Sequence, residues 1–300
     1  MTFQESLAAL HNDRRNLAIR DITITLAILA GAIWLLARHP GPWTYSLAYI
    51  VIGLMQYRIV IACHEAVHKK LFFPLWLNES FGSVYCALIG INLLWYRRQH
   101  LAHHGAQDLS HDTDAYIFEP ILRQRPGFRR VAIWIFGTAR EMREKLRLKG
   151  FNVNATIEAE GKARLYSLAI VAVQGLLLLF CTLWLSWWYY FAFWVLPLGT
   201  IAVFMNRTRV LIEHGYAHVP RREGFPLSAS PVKAIDLSAG FFGQFFIAPF
   251  MFNYHRAHHR APSIPYYRCH DLLQLLEQHG EAAASENPSY LQALRHILWN

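Results

Sequence analysis

Long apolar runs alternate with polar stretches along this chain, and four of the runs are of membrane-spanning length. A bilayer core about 30 Å thick needs roughly 20 apolar residues in a helix. The four predicted spans cover residues 20–38, 43–63, 165–185 and 187–205. Two further apolar segments, 71–95 and 235–252, are interrupted or shorter, which is typical of segments in the membrane interface. The pattern therefore predicts an all-α integral membrane protein with about four transmembrane helices.

The polar stretch between the second and third spans is strongly basic. Residues 97–164 contain 13 Arg or Lys, and such loops stay on the cytoplasmic side of a membrane. With two spans before this block and two after it, residues 64–164 and 206–300 are both expected in the cytosol. We therefore expect a single domain over residues 1–300, with a cytosolic cap, in the bacterial cytoplasmic membrane.

Composition supports a membrane protein and argues against a nucleic-acid partner. Hydrophobic residues make up 54% of the chain, charged residues 16%, and the mean hydropathy is +0.18. The formal charge of +9 comes from Arg and Lys in short loops between apolar runs, which suits the cytoplasmic leaflet better than nucleic acid. The four cysteines are far apart and form no C-x-x-C, so they predict neither a disulfide framework nor a thiolate metal site.

Three histidine clusters are the main chemical signal. They are His64 and His68 in H-x-x-x-H spacing, then His100, His103 and His104, and finally His255, His258 and His259, both in H-x-x-H-H spacing. Residues at i, i+3 and i+4 lie on one face of a helix, so each cluster can direct two or three imidazoles toward one point. Imidazole suits zinc, copper, iron and nickel. Eight histidines exceed the roughly four ligands of one zinc ion, which favours two metal ions.

Several polar residues near these clusters are candidates for supporting roles. A metal-bound histidine usually donates its other ring N–H to a carboxylate or a carbonyl oxygen. The carboxylate candidates are Glu65, Asp108, Asp112, Asp114, Glu213 and Asp236, which the sequence alone does not pair with particular histidines. Arg58 lies inside the second predicted span and has two interpretations. Its side chain reaches the interface, or it holds a substrate head group or orients a ligand.

As a set, the three boxes and the paired spans resemble the membrane fatty acid desaturase family, a superfamily of histidine-box, di-iron desaturases and hydroxylases. The resemblance covers residues 57–276 and includes Arg97-Arg98-Gln99 leading into His100, Glu213-His214, Asn253-Tyr254-His255, and Ile264-Pro265-Tyr266-Tyr267. Two departures concern subgroup rather than ligands. The segment after the second box lacks the family's Asp-Pro-Asp run, and Arg260-Ala261-Pro262 follows the third box.

The resemblance implies a metal site, a cofactor and partners. Carried over residue by residue, the implied ligands are His64, His68, His100, His103, His104, His214, His255, His258 and His259. His111 and His218 are weaker candidates. In this family the boxes hold two non-haem irons near the cytosolic face, and an electron carrier reduces them to activate O2. The implied partners are the bilayer, a lipid or acyl substrate, and a donor of the ferredoxin, rubredoxin or cytochrome b5 type.

Acyl desaturation is the favoured activity, and three alternatives stay open. A hydroxylase or ketolase could act on an alkane, lipid or carotenoid substrate with the same scaffold. The segment His64-Glu65-Ala66-Val67-His68 also fits the H-E-x-x-H signature of zinc metalloproteases, in which the glutamate is the general base. A divalent-metal transporter is the remaining alternative. The spacing of the second box and Asn253-Tyr254-His255 favour the desaturase.

Overall fold

The computed structural model describes residues 2–148, 157–219, 227, 231–280 and 287–300. Within these ranges the regular elements are helices, and no strand is formed. Three isolated bridges connect Asp108 with Pro231, Asp236 with Tyr254, and Ser238 with Ser289. The prediction of an all-α fold is confirmed.

Four helices are long and apolar enough to cross a membrane. They are Ala18–Arg38, Pro42–Val67, Gly161–Trp184, which is part of a helix beginning at Ile157, and Trp187–His218. The prediction of about four transmembrane helices is therefore confirmed, while the bounds given to each span stay a prediction. The second and fourth helices continue past the apolar runs, because backbone hydrogen bonding does not stop where the side chains become polar. These extensions place His64 and His214 within the same helices as the spans.

The remaining helices are shorter. They are Phe3–His11, Leu75–Leu88, Leu93–Gly105, Ala115–Leu122, Phe128–Phe136, Thr138–Leu148, His255–Arg260, Cys269–Gln278 and Tyr290–Trp299, with a 3₁₀ turn at Tyr266–Arg268. The predicted interfacial segment 71–95 contains the whole of Leu75–Leu88. The other one, 235–252, contains a single π turn at Gly243–Ile247. Location of these two segments in the membrane interface stays a prediction.

The chain divides into two compact units. We call Arg15–Arg97 with Lys149–Asn206 the span unit, and Met1–Arg14 with Arg98–Leu148 and Arg207–Asn300 the histidine unit. The span unit carries His64 and His68, and the histidine unit carries the other seven predicted ligands. That residues 1–300 form one domain stays a prediction.

Two buried polar side chains of the span unit, Gln56 and Arg58, donate hydrogen bonds within that unit. Lipid offers no hydrogen-bond partners, so such groups must be satisfied within the protein. The Gln56 side chain donates to the carbonyl oxygen of Trp194 at 2.8 Å. Arg58 is buried, and its Nε donates to the Thr25 hydroxyl at 2.9 Å. This bond links the first two long helices through a cation inside the apolar run.

The fourth long helix is irregular along its length. It contains π-helical turns at Phe191–Val195, Leu198–Ala202 and Leu211–Gly215, and it ends in a 3₁₀ turn at Tyr216–His218. A π turn holds one extra residue in the helix and is frequent at functional sites. The last π turn carries His214, so this histidine is displaced around the helix axis from the position that a regular α-helix would give it.

A small apolar core in the histidine unit supports the third box. Its buried members are Ala257, Ile264, Leu272, Leu273 and Leu276, and Phe3, Leu7 and Leu10 pack against them. Arg268 donates to Asp13 at 2.8 Å beside this core. The segment around the N-terminal helix therefore braces the helix that carries the third histidine box.

Candidate metal centre

The first box lies in the span unit, at the end of the helix Pro42–Val67. His64 is buried, and the ring centroids of His64 and His68 are 4.8 Å apart. The Glu65 carboxylate lies 3.0 Å from His64 Nδ1. Lys69 then takes a left-handed conformation with φ of 62°, which ends the helix in the usual geometry of a C-terminal cap.

Two side chains from outside the first box hold its backbone. Arg97 donates from Nε to the carbonyl oxygen of Val67 and from Nη2 to that of Ala66, both at 2.9 Å. Asn78 also donates to the Ala66 carbonyl oxygen, at 3.0 Å, and accepts from the amide of Leu71. Both carbonyls lie in the last turn of the helix, where the regular i+4 backbone donors end. The turn between the two histidines is therefore fixed by side chains.

Histidines of the second and third boxes converge in two groups within the histidine unit. We call His100, His104 and His258 the first histidine group, and His103, His214 and His259 the second. In each group the ligand nitrogens all lie within 4.8 Å of one another. His255 adjoins the second group, because its Nε2 lies 2.9 Å from that of His214 and 3.1 Å from that of His259. Each box therefore divides its histidines between the groups.

The donor chemistry of both groups fits a metal ion. His100 Nε2 and His104 Nε2 are 3.0 Å apart, similar to the separations around His255. Two imidazole lone pairs repel at this distance unless a proton or a cation lies between them. An all-imidazole set with convergent nitrogens is a donor set of the kind that zinc, copper, iron and nickel accept.

In the second group, two ring orientations are set by acceptors on the far side of the ring. His103 Nδ1 lies 2.6 Å from Asp112 Oδ1, and both side chains are buried. His214 Nδ1 lies 2.8 Å from the carbonyl oxygen of Lys233. Because these oxygens accept a hydrogen bond, each Nδ1 carries the proton and each Nε2 presents a lone pair to the group. This is the tautomer that binds a metal through Nε2.

Three histidine rings of the second and third boxes are held neutral by burial. Burial lowers the pKa of His104 to about 3, with a further contribution from His103. Burial also lowers the pKa values of His255 and His259 well below the ordinary range, and neighbouring rings add to the effect. His103 differs. Burial lowers its pKa, but the hydrogen bond to Asp112 and nearby carboxylate charge outweigh burial and raise it.

Asp236 fixes the start of the helix that bears the third box. Its Oδ1 accepts from the Ala257 amide at 3.2 Å, and its Oδ2 accepts from Arg256 Nε at 2.9 Å. A carboxylate at a helix N-terminus satisfies free amides and interacts favourably with the helix dipole. The neighbouring Leu237 amide donates to the Asn253 carbonyl oxygen at 2.8 Å, so the approach to the helix is held as well.

A second buried carboxylate lies beside the second group. Glu213 Oε2 accepts from Arg209 Nη1 at 2.7 Å and lies 3.7 Å from His255 Nε2. The Arg209 guanidinium lies over the Phe252 ring, 4.4 Å from its centroid. Phe252 in turn stacks on His255. The Glu213–Arg209 ion pair and the Phe252 ring therefore cover this side of the second group.

The structure separates the weaker sequence candidates from the groups. His111 is exposed and pairs with Asp108, while the buried His218 stacks on Phe118. Asp114 accepts from Gln99 instead of a histidine. The sequence did not predict the hydrogen bond of His214 to the Lys233 carbonyl, because every residue has a backbone carbonyl. It also did not predict that Arg97 holds the backbone of the first box. The available signal was the position of Arg97, three residues before His100.

Comparison with known proteins identifies the family. The sequence model of the fatty acid desaturase family matches residues 40–290 of this chain. The chain belongs to the fatty acid desaturase family. A Delta 8-(E)-sphingolipid desaturase from Komagataella phaffii is 33% identical over 72 residues, which are 23% of this chain and 13% of the relative. The family resemblance expected from the boxes is therefore confirmed.

Proposed function

We propose that this fatty acid desaturase family member is an O2-dependent di-iron oxidoreductase that introduces a C=C bond into a fatty acyl chain. The acyl chain is carried by a lipid or a thioester. One observation supports this most directly, namely the convergence of imidazoles from two boxes into two separate groups. Membership of the fatty acid desaturase family supports a role for these groups in removing hydrogen from an acyl chain.

We assign the ligands to two ions. His64 and His68 of the first box are proposed as metal ligands on the family motif. One ion would be held by the first histidine group, His100, His104 and His258. The other would be held by the second group, His103, His214 and His259, together with His255. The grouping in the histidine unit supports the assignment of seven ligands, and the family motif supports the two from the first box.

Metal chemistry is needed because acid–base side chains alone do not break an unactivated C–H bond. Iron bound at these nitrogens would supply redox chemistry with O2. The residues of this chain set the conditions for it. Asp112 holds the proton of His103 at Nδ1, and the Lys233 carbonyl does the same for His214. Glu65 lies against the ring of His64. Burial of most of these rings limits access of water.

The proposed partners are an acyl substrate and a small electron-donor protein of the ferredoxin, rubredoxin or cytochrome b5 type. We place the site at the cytosolic face of a bacterial cytoplasmic membrane. The basic block at 97–164 supports this side through the positive-inside rule. Exposed arginines in that block, including Arg123 and Arg143, complement an acidic donor.

The test is product analysis with the purified chain in membranes. Isotopically labelled acyl-lipid and acyl-thioester substrates would be supplied with O2 and a reducing donor, and products would be identified by mass spectrometry. Loss of two hydrogens with a new double bond is the expected result. Gain of one oxygen would instead identify a hydroxylase, and further oxidation to a carbonyl a ketolase.

Metal analysis of the same preparation tests the cofactor. We expect two irons per chain after growth in iron-rich medium. Stoichiometric zinc with peptide cleavage would identify the metalloprotease alternative, and metal flux into vesicles would identify the transporter. Either result would overturn the desaturase assignment.

A further inference from the structure

The short helix Phe128–Phe136 in the histidine unit exposes one apolar face. Phe128, Ala132, Ile135 and Phe136 lie at positions i, i+4, i+7 and i+8, which fall on one side of a helix. Phe128 is 82% exposed and Phe136 is 80% exposed. Two phenylalanines this exposed on one short helix are unusual for a surface in contact with water.

The opposite face of this helix is hydrogen-bonded to other elements of the histidine unit. Arg130 is buried and donates to the carbonyl oxygens of Gln124 and Ile297. Trp134 Nε1 donates to the Thr208 hydroxyl at 2.9 Å. Arg207 Nη1 donates to the Trp134 carbonyl oxygen at 2.7 Å. The orientation of the helix is therefore fixed, and the phenylalanines point outward because the other side is occupied.

The surroundings of the exposed face combine aromatic and basic side chains. Trp299 is 50% exposed and meets the Phe128 ring edge-on, with centroids 5.6 Å apart. Arg125 and Arg129 are exposed near the start of the helix. Indole rings favour the interface, and arginines there attract the phosphates of anionic lipids. An exposed apolar face flanked by these side chains complements the interfacial layer of a bilayer better than it complements water.

We propose that Phe128–Phe136 is an interfacial anchor of the histidine unit. Its phenylalanines enter the boundary between head groups and acyl chains, and Arg125 and Arg129 contact lipid phosphates. This surface is separate from the metal groups and does not depend on the activity proposed above. The exposed face contacts lipid of the same bilayer that the four long helices cross.

The test uses site-directed spin labels on the full-length chain in lipid nanodiscs. A label is attached at Phe136→Cys in a Cys181→Ser background, and its collision rates with oxygen and with a water-soluble nickel chelate are measured. Oxygen concentrates in the apolar layer and the chelate stays in water. Two matched sites calibrate the scale, Leu176→Cys on the exposed side of the third long helix and Gln107→Cys in an exposed turn.

We expect an oxygen-to-chelate ratio at residue 136 several-fold above that at residue 107 and approaching that at residue 176. A ratio equal to that at residue 107 would place the face in water and overturn the proposal. Low collision rates with both reagents would mean that protein covers the face, and would overturn it equally. Phe128→Cys provides an independent second site with the same expectation.

The role of the arginines has its own measurement. The ratio at residue 136 is compared in nanodiscs of neutral phosphatidylcholine and in nanodiscs containing phosphatidylglycerol. We expect a higher ratio with the anionic lipid, and no lipid dependence in the Arg125→Gln, Arg129→Gln double variant. An unchanged lipid dependence in this variant would remove the arginines from the proposal.

Discussion

Arg97 and Glu79 form a two-point ion pair, with Nη1 donating to Oε2 at 3.0 Å and Nη2 donating to Oε1 at 2.7 Å. The same guanidinium donates to the carbonyl oxygens of Ala66 and Val67, which lie between the two histidines of the first box. Paired bonds of this kind fix direction as well as distance. The geometry of the first box therefore depends on a residue outside it.

Replacing Arg97 should weaken the first box more than the protein as a whole. Arg97→Gln removes the ion pair with Glu79 and one donor from each of two helix-end carbonyls, and the expected loss is about 1–3 kcal/mol of unfolding free energy. Thermal unfolding of the purified chain and metal content per chain measure the two effects. Arg98→Gln is the matched control, since Arg98 takes no part in this clamp. Equal effects of the two variants would contradict the assignment.

The same ion pair predicts an acid dependence of stability. Burial raises the pKa of Glu79, but hydrogen bonds and charge from Arg97 outweigh burial, and the pKa lies below its usual value. A carboxylate whose pKa is lower in the folded state than in the unfolded chain stabilises the fold at pH values above the unfolded-state pKa of about 4.3. This stabilisation is lost as the pH falls through the lower, folded-state pKa. The difference in melting temperature between wild type and Arg97→Gln should therefore narrow as the pH falls through the lowered pKa of Glu79. A constant gap across this range would count against the pair.

Asp112 should control metal affinity through His103. Asp112→Asn keeps the shape but replaces the carboxylate with a weaker acceptor for His103 Nδ1. Loss of such an outer partner typically reduces metal affinity by about 10–100-fold. Competition with a chelator measures the affinity, and Asp108→Asn, in the exposed turn with His111, is the control. Unchanged affinity in Asp112→Asn would show that the hydrogen bond does not support the metal.

Removing one histidine from the second group should empty that position selectively. His103→Ala deletes one of four convergent nitrogens, and we expect bound metal to fall toward about half of the wild-type content. The exposed His111, eight residues further along, is the matched control of the same residue type. Elemental analysis of both variants gives the comparison. Full metal content in His103→Ala would exclude this residue as a ligand.

Two glycines in the long helices should respond in opposite ways to alanine. A Cβ at Gly53 would lie 2.5 Å from the Cβ of Ile201, whereas a Cβ at Gly31 meets nothing within 4 Å. Gly53→Ala should therefore cost about 1–3 kcal/mol through overpacking. Gly31→Ala should cost nothing and gain up to about 1 kcal/mol in helix propensity. Thermal unfolding in detergent would decide, and similar melting temperatures would contradict the close packing.

The long helices were predictable because their signal is local. Some twenty consecutive apolar residues identify a span without reference to any other part of the chain. Their ends were less predictable, since His64 and Thr208 lie in polar continuations of the same helices. The segment 235–252 is rich in apolar residues, yet its regular structure is limited to a short helical turn around Gly243–Ile247.

The histidines of the site were identifiable from spacing and family pattern, but their grouping was not. Spacing within a box shows which rings share a helix face. It does not show that His103 joins His259 while His104 joins His258. The pairing of His103 with Asp112, and of His214 with the Lys233 carbonyl, depends on how loops fold back. Those contacts come from the tertiary structure alone.

The second histidine group also constrains when the proposed metal could be bound during synthesis. The ribosome makes His103 before the third long helix, His214 at the end of the fourth, and His259 some forty residues later. A nascent chain therefore offers an incomplete nitrogen set for most of its translation. The proposed metal would be bound at this group only after all four long helices have been made.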